Sequence, residues 1–418
     1  AATDGRTFAI VGQRFYEILI DGTTTERGTV ANNGLPATIV WNGDGGDQLC
    51  LCAGGDVYSY DLSTNTLISE LSGGYTTVGF AYGYFLAFQE TTGTVRLSDL
   101  LDGTVWDPTQ FFQRTIGADA WNAMLVASWG QIFLPGTKTS EYWYNAGTFP
   151  IPFAPHPSGL VSWGIAATFS VKEAGESIVW LGTNANGGYQ VQAARGFRPE
   201  RISNHAVEHE IDQYARVDDC IAETYKEQGH AFALLKFPTA GVTWCYDFAT
   251  GLWHKRQTWR PTTGTYEAWR LTYHCFAFGQ HLWADASSGV LYESNHEFTT
   301  DVDGLLIRRM RQAPSLNRNH RIRYYNRFEV LLESGLANAN PPGDDPQVVM
   351  QLSSDGGQTW GPERTCSAGT RGSYLQRVYW ERNGSARDRA FRIIVSDPIN
   401  NWRIVDAYLD IEDSQEAA

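Results

Sequence analysis

Ala37-Thr38-Ile39-Val40-Trp41, then Leu49-Cys50-Leu51, then Val57-Tyr58-Ser59-Tyr60 are three short alternating runs parted by Gly and Asp turns, and they decide the fold of this 418-residue chain. Period-two alternation of this kind suits strands. The same pattern recurs five more times before residue 300. Upstream it reads Thr7-Phe8-Ala9-Ile10-Val11-Gly12 into Phe15-Tyr16-Glu17-Ile18-Leu19. Downstream the copies are Val78-Gly79-Phe80 into Tyr84-Phe85-Leu86-Ala87-Phe88, Met124-Leu125-Val126-Ala127 into Gln131-Ile132-Phe133-Leu134 and Glu141-Tyr142-Trp143-Tyr144, Ala231-Phe232-Ala233-Leu234 into Val242-Thr243-Trp244-Cys245-Tyr246, and Tyr273-His274-Cys275-Phe276 into His281-Leu282-Trp283 and Val290-Leu291-Tyr292. A degenerate repeat of roughly 40–45 residues, built from short strands and Gly turns, predicts an all-β chain dominated by a β-propeller of about six blades.

Composition agrees with that expectation. Aromatic residues make up 13% of the chain, Gly contributes 42 residues and Met only 3, a mixture suited to pleated surfaces and tight turns. The six cysteines show no CxxC spacing, and Cys50 and Cys52 fall on one face of one strand, where they bridge poorly. Free thiols of a chain that folds in a reducing cytoplasm are expected. No apolar run approaches about 18 residues, so no membrane insertion is expected. The chain opens Ala1-Ala2-Thr3 without Met and the first repeat copy is short at its front, so an N-terminal piece is expected to be missing.

Charge divides the chain. From residue 304 onward there are 15 Arg, no Lys and 14 Asp or Glu, a net of about +1 against −14 for the whole, which leaves about −15 on residues 1–303. Arg308, Arg309, Arg311, Arg318, Arg321, Arg323 and Arg327 fall within 20 residues. Alternating runs follow at Phe328–Leu332, Val348–Leu352, Leu375–Trp380, Ala390–Val395 and Trp402–Ile411. They predict a small appended β-sandwich, so the domains are expected at 1–303 and 304–418.

Two motifs suggest chemistry. His205-Ala206-Val207-Glu208-His209 fits H-x-x-E-H on a short helix capped by Ser203 or Asn204, a pattern in which two imidazoles one turn apart share a zinc. The pattern is loose and no distal glutamate helix follows, so a solvated helix face is expected and no metal ligand is assigned. Ser353-Ser354-Asp355-Gly356-Gly357-Gln358-Thr359-Trp360 fits the Asp-box of sialidase propellers, whose mechanics are those of a hairpin turn. It occurs once and outside the repeats. Phosphate-binding glycine loops, a nucleophile elbow and cysteine-histidine zinc spacings are all missing, so no catalytic or cofactor-binding residue is assigned.

The order of motifs resembles a known family. Gly130-Gln131-Ile132-Phe133-Leu134-Pro135-Gly136 through Thr139-Ser140-Glu141-Tyr142-Trp143-Tyr144-Asn145-Ala146-Gly147 is similar to the strand, "S-x-E-aromatic", Gly segment of packaged-DNA stabilisation proteins of short-tailed phages. In register follow Gly164-Ile165-Ala166, the run Ile178-Val179-Trp180-Leu181-Gly182, Gly188-Tyr189-Gln190-Val191, and Arg201-Ile202-Ser203 leading a helix towards Tyr214. His230 through Pro238, Thr243-Trp244-Cys245-Tyr246-Asp247 and Trp253 resemble the family's "H-x-L-L-x-x-x-P…V-Y-D…W" stretch, and Ser353-Ser354-Asp355-Gly356 its late "T-D-G" turn.

The resemblance covers roughly residues 7–412 and implies a tail hub, or nozzle. In that role six copies form a ring joined to the adaptor below the portal, retain packaged DNA, close the exit channel with a tail needle or plug, and bear tailspikes or fibres. It implies no enzyme activity and no cofactor. Physics fits this independently, because a protein that surrounds DNA in transit should not grip it with many Lys/Arg–phosphate contacts. The Arg-only segment, Arg308 through Arg327, is then a candidate docking surface for acidic blades of a neighbour or for the adaptor. The alternatives are arginines paired within the sandwich, a sialidase-type glycosidase, and a module binding glycan or nucleic acid.

Overall fold

The computed structural model describes residues 5–43, 46–285, 287–399 and 402–413. The chain divides into two compact units, Ala1–Gln257 with Ala268–Glu293 and Thr258–Glu267 with Ser294–Ala418. Within the described residues no helix is long and apolar enough to cross a membrane. None of the six cysteines forms a disulfide.

Among the described residues, seven antiparallel sheets follow one another up to Ser294, all in the first unit except that residues 258–267 of the sixth sheet and Ser294 belong to the second. Their strands are Thr7–Val11, Arg14–Ile18 and Thr24–Thr29; Thr38–Trp41, Gln48–Ala53, Asp56–Asp61 and Thr66–Leu71; Tyr75–Ala81, Tyr84–Gln89, Thr94–Leu97 and Phe111–Gln113; and Leu125–Val126, Ile132–Pro135, Ser140–Asn145 and Phe153–Val161. The fifth sheet comprises Gly164–Ile165, Val171–Ala174, Ser177–Thr183, Tyr189–Arg195 and Arg198–Arg201. The sixth comprises Ile221–Glu227, His230–Phe237, Val242–Asp247, Leu252–Arg260 and Thr265–Ala268, and the seventh Leu271–Ala277, Gln280–Asp285 and Leu291–Ser294. The fifth sheet is not among the six repeat copies. Its strand Val171-Lys172-Glu173-Ala174 carries two charges where the other copies carry small or apolar residues, which hid the pattern.

An axial cavity is lined by residues from six sheets, the second through the seventh. The first sheet packs instead on the second, where Phe8, Phe15 and Tyr60 meet with ring centroids 5.0–5.5 Å apart. Neighbouring sheets are wedged together by rings. Phe112 stacks on Trp143 at 4.6 Å between the third and fourth sheets, and Phe133 meets Trp180 at 4.9 Å between the fourth and fifth. Such contacts add about 0.5–1.5 kcal/mol each beyond area burial.

The second unit contains the β-sandwich. One sheet orders Arg309–Gln312, Asp388–Val395, Gln347–Ser353 and Arg364–Ser367, with Leu316–Asn317 also on Asp388–Val395. The other is built on Arg323–Leu332, flanked by Val378–Glu381 with Ser385–Ala386 and by Ile404–Asp413. Alternation sends Tyr325, Phe328, Val330 and Leu332 inward against Val348, Met350, Phe391 and Ile393. Phe328 stacks on Phe391 at 4.5 Å and on Trp380 at 5.9 Å. The five expected strands are present, but the third begins at Val378: Leu375 lies outside it and is 94% exposed. Arg309–Gln312 and Arg364–Ser367 were not anticipated, since their mostly charged and polar residues show no apolar alternation.

Phe328→Ala should cost about 3–5 kcal/mol of sandwich stability, as truncation of a buried aromatic does. Leu375→Ala should change it by less than about 0.5 kcal/mol. Denaturant unfolding of both variants checks the pair.

Glu17 gives a pH signature. It is buried in the first sheet, with Arg6 Nε 2.7 Å from Oε1 and Arg27 Nε 2.7 Å from Oε2, and these guanidinium hydrogen bonds, Arg6's foremost, pull its carboxyl down to about 2. A depressed carboxylate stabilises the fold above its unfolded pKa, near 4.5, and loses that contribution as pH falls through about 2. Glu17→Gln should therefore flatten the acid-unfolding curve between those limits, which a pH titration of stability measures.

Candidate functional site

The seven arginines are not one free surface. Arg308 lies over the Trp259 ring at 4.2 Å and donates to Glu363 at 2.9 Å. Arg318 and Arg323 both bind Asp413, at 2.9 and 2.8 Å. Arg327 covers the Tyr379 ring at 3.9 Å and lies 3.1 Å from Glu329. These four match the alternative of pairing within the same unit. Arg309 and Arg311 meet no carboxylate among the described residues. Both sit on the edge strand Arg309–Gln312, where Arg311 is exposed and Arg309 has a buried Nη1 without a partner.

The H-x-x-E-H segment folds as the helix His205–Ile211, with Asn204 accepting from the Val207 N–H at 3.0 Å as its cap. Glu208, which would be the base beside two imidazole ligands in that pattern, turns inward instead. Arg201 donates to both Glu208 oxygens at 2.6 Å, and Ser203 Oγ adds a third hydrogen bond at 2.6 Å. His209 Nε2 faces Gln213 at 2.8 Å. No group of three or more His, Cys, Asp or Glu among the described residues is placed to hold an ion.

The Asp-box is a hairpin turn between Gln347–Ser353 and Arg364–Ser367. Asp355 accepts from Ser353 Oγ at 2.6 Å, from the Gln358 N–H at 2.9 Å and from the Thr359 N–H at 3.0 Å, and these bonds hold its carboxyl far below the usual range. Trp360 packs beneath the Arg392 guanidinium at 3.7 Å. A carboxylate so held is neither a proton donor nor a free nucleophile.

The remaining motifs also serve the scaffold. In Ser140-Glu141-Tyr142-Trp143, the buried Glu141 accepts from the Gly117 N–H at 2.9 Å and from Trp143 Nε1 at 3.1 Å, with Arg114 Nε 2.9 Å away. That clamp ties the loop after Phe111–Gln113 to the fourth sheet. Asp247 accepts from the Ala249 N–H, Thr250 Oγ1 and His230 Nδ1, each at 2.9 Å, and so locks the turn after Val242–Asp247. Trp253 Nε1 donates to the Ile202 carbonyl at 2.8 Å, and Trp244 Nε1 to the Tyr214 hydroxyl at 3.1 Å. Together they pin the helix segment onto the sixth sheet.

The axial cavity encloses about 730 Å³. Its charged groups are Lys172 and Glu223, 3.3 Å apart, a pair that no sequence motif singled out, since the two residues lie 51 positions apart on different sheets. Tyr273 also faces it, its hydroxyl pushed up to about 12 by burial, with Glu223 adding to the shift. An ion pair beside a protonated phenol supplies no nucleophile activated by a base.

Comparison with known proteins matches this arrangement. The profile of the phage P22 Gp10 β-propeller aligns with residues 1–298, and that of the Gp10 β-sandwich with residues 308–403. The chain therefore belongs to the phage P22 Gp10 family, the packaged-DNA stabilisation proteins, and is a phage structural protein. No curated protein matches in the sequence comparison. Among solved structures, virginiamycin B lyase from Staphylococcus aureus is 8% identical with a TM-score of 0.45, over 68% of this chain and 90% of that one. The CNH domain of AfRom2 is 11% identical with a TM-score of 0.34, over 67% and 90%. Likeness at that level carries no argument about chemistry.

If Glu208 serves the scaffold, Glu208→Ala should destabilise the first unit by about 1–3 kcal/mol, because the buried Ser203 hydroxyl loses its acceptor while the exposed Arg201 is re-solvated. His205→Ala together with His209→Ala should leave stability within about 0.5 kcal/mol. Elemental analysis of the wild type should find no stoichiometric zinc.

Proposed function

We propose that this chain is the subunit of a tail hub in a short-tailed phage. Six copies would form a ring below the portal-adaptor, retain packaged DNA, surround its exit channel and anchor the needle or plug and the tailspikes or fibres. The observation that carries the reading is the match of both domains, in order and along nearly the whole chain, to one phage structural protein. Charge supports it. The repeat region carries about −15, and four of the seven clustered arginines already face rings or carboxylates of their own unit. On a repeat region of net negative charge, retention in this reading comes from closing the channel rather than from gripping the duplex.

Two measurements test this. Particles assembled without the protein should package DNA and then lose it, which nuclease protection of the genome reads. Purified protein should bind duplex DNA no more tightly than the about 10⁻⁴ M end of non-specific binding, with little salt dependence. Particles that keep their genome without it would sink the hub reading. Tight, steeply salt-dependent binding would favour a nucleic-acid-binding module instead.

A further inference from the structure

The sandwich presents two open sheet edges of opposite charge. Ile404–Asp413 pairs with Arg323–Leu332 along one side, and among the described residues no strand pairs with its other side. It is exposed at almost every position, with Val405 63% and Tyr408 53% accessible. It carries Asp406, Asp410, Glu412 and Asp413, of which Asp413 is taken by Arg318 and Arg323. The Ala407 N–H is met by the Asp406 carboxylate at 2.8 Å. A ten-residue edge of this kind is a template for a further strand.

The other edge is Arg309–Gln312, which pairs only with Asp388–Val395. Its Arg309 and Arg311 are the members of the arginine run that meet no carboxylate among the described residues, and Met310 between them is 44% exposed. The buried Nη1 of Arg309 lacks a hydrogen-bond acceptor. One edge thus lacks anions and the other offers three carboxylates not engaged by arginine.

We propose that these edges are the two halves of a contact between copies of this chain, in which the acidic strand Ile404–Asp413 of one copy adds to the basic edge Arg309–Gln312 of the next. Main-chain hydrogen bonds supply the pairing, and in the antiparallel register that sets Asp406 opposite Arg311, Asp410 lies diagonal to Arg309, within reach of its long side chain. The two surfaces differ, so the contact is head-to-tail, the kind that closes into a ring when its rotation divides the circle. The inference rests on the ring proposed above and names the surface that builds it.

Three variants test it: Arg309→Glu with Arg311→Glu, Asp406→Lys with Asp410→Lys, and the chain carrying all four changes. Mass photometry over a concentration series should find the wild type assembling, each charge-reversed pair weakened at least tenfold, and the four-fold swap restored. Circular dichroism should find all three folded. Backbone amides of residues 404–413 should exchange at least tenfold more slowly in the assembly than in the monomer, a protection that surface charge alone does not give. The proposal is overturned if the wild type stays monomeric, if either reversal assembles like the wild type, or if the swap fails to recover. It is equally overturned if Asp406→Lys with Asp410→Lys increases association, since the carboxylates would then be guarding the edge against pairing. Genome retention by particles carrying the variants separates the two readings. Variants of unchanged mass in particles that need this protein to hold DNA would remove the edge contact and leave the hub.

Discussion

Close approach of neighbouring sheets near the propeller axis is the constraint on which the first unit depends. A Cβ at Gly79, on the axial cavity, would lie 2.3 Å from Val126 Cγ2 in the next sheet, and one at Gly164 would lie 2.4 Å from the Lys138 backbone nitrogen in the turn of the fourth sheet. Neither contact is sterically possible, so these two positions must be glycine. Further out, where the sheets diverge, the same geometry demands volume, and Trp121, Trp143, Phe133 and Trp180 provide it. Small residues inside and rings outside are the taper of a wedge, written along each strand.

That taper is why so much of the fold was legible in sequence. Gly79 beside Phe80, then Phe85 and Phe88, is the wedge in a dozen residues. The repeat pattern alone did not pick out the fifth sheet, whose strand Val171–Ala174 carries Lys172 and Glu173. The runs Ile178–Gly182 and Gly188–Val191 entered only through the family resemblance, and the Lys172–Glu223 pair in the axial cavity was not anticipated. Legibility failed again at Arg309–Gln312 and Arg364–Ser367, strands whose mostly charged and polar residues show no apolar alternation, whereas the equally short Thr38–Trp41 does. Leu375 was misread because an apolar residue next to a strand looks like part of it. Only the turn chemistry of residues 369–376 keeps it out, with the Ser373 N–H bonded to the Thr370 carbonyl.

The candidate site was less legible than the fold, for a physical reason. Glu208 and Asp355 sit in motifs that suggest chemistry, and Glu141 and Asp247 in segments shared with a family, yet each accepts hydrogen bonds from its own surroundings. A linear motif records that a carboxylate is required at a position, not whether its lone pairs face the protein or a substrate. Family motifs made of such residues therefore report a shared scaffold. Their agreement with the propeller and sandwich profiles of one phage protein follows from that, and so does their silence about any reaction.

Arginine is the residue that separates the two roles. Of the seven between Arg308 and Arg327, those that alternate inward or lie beside a ring are absorbed by Trp259, Tyr379, Glu329, Glu363 or Asp413. Arg309 and Arg311 lie on a sheet edge, where no strand of their own unit can bring a carboxylate to them. An edge cannot be satisfied from within, because the next ladder position lies outside the molecule. In the contact proposed above, charge left at such a position acts between molecules, whereas the same charge on a covered face holds the sandwich together. In the reading proposed above, a chain that encloses a polyanion without gripping it uses the cations at pairs and edges for assembly, while the net negative charge of residues 1–303 weakens any hold on the duplex.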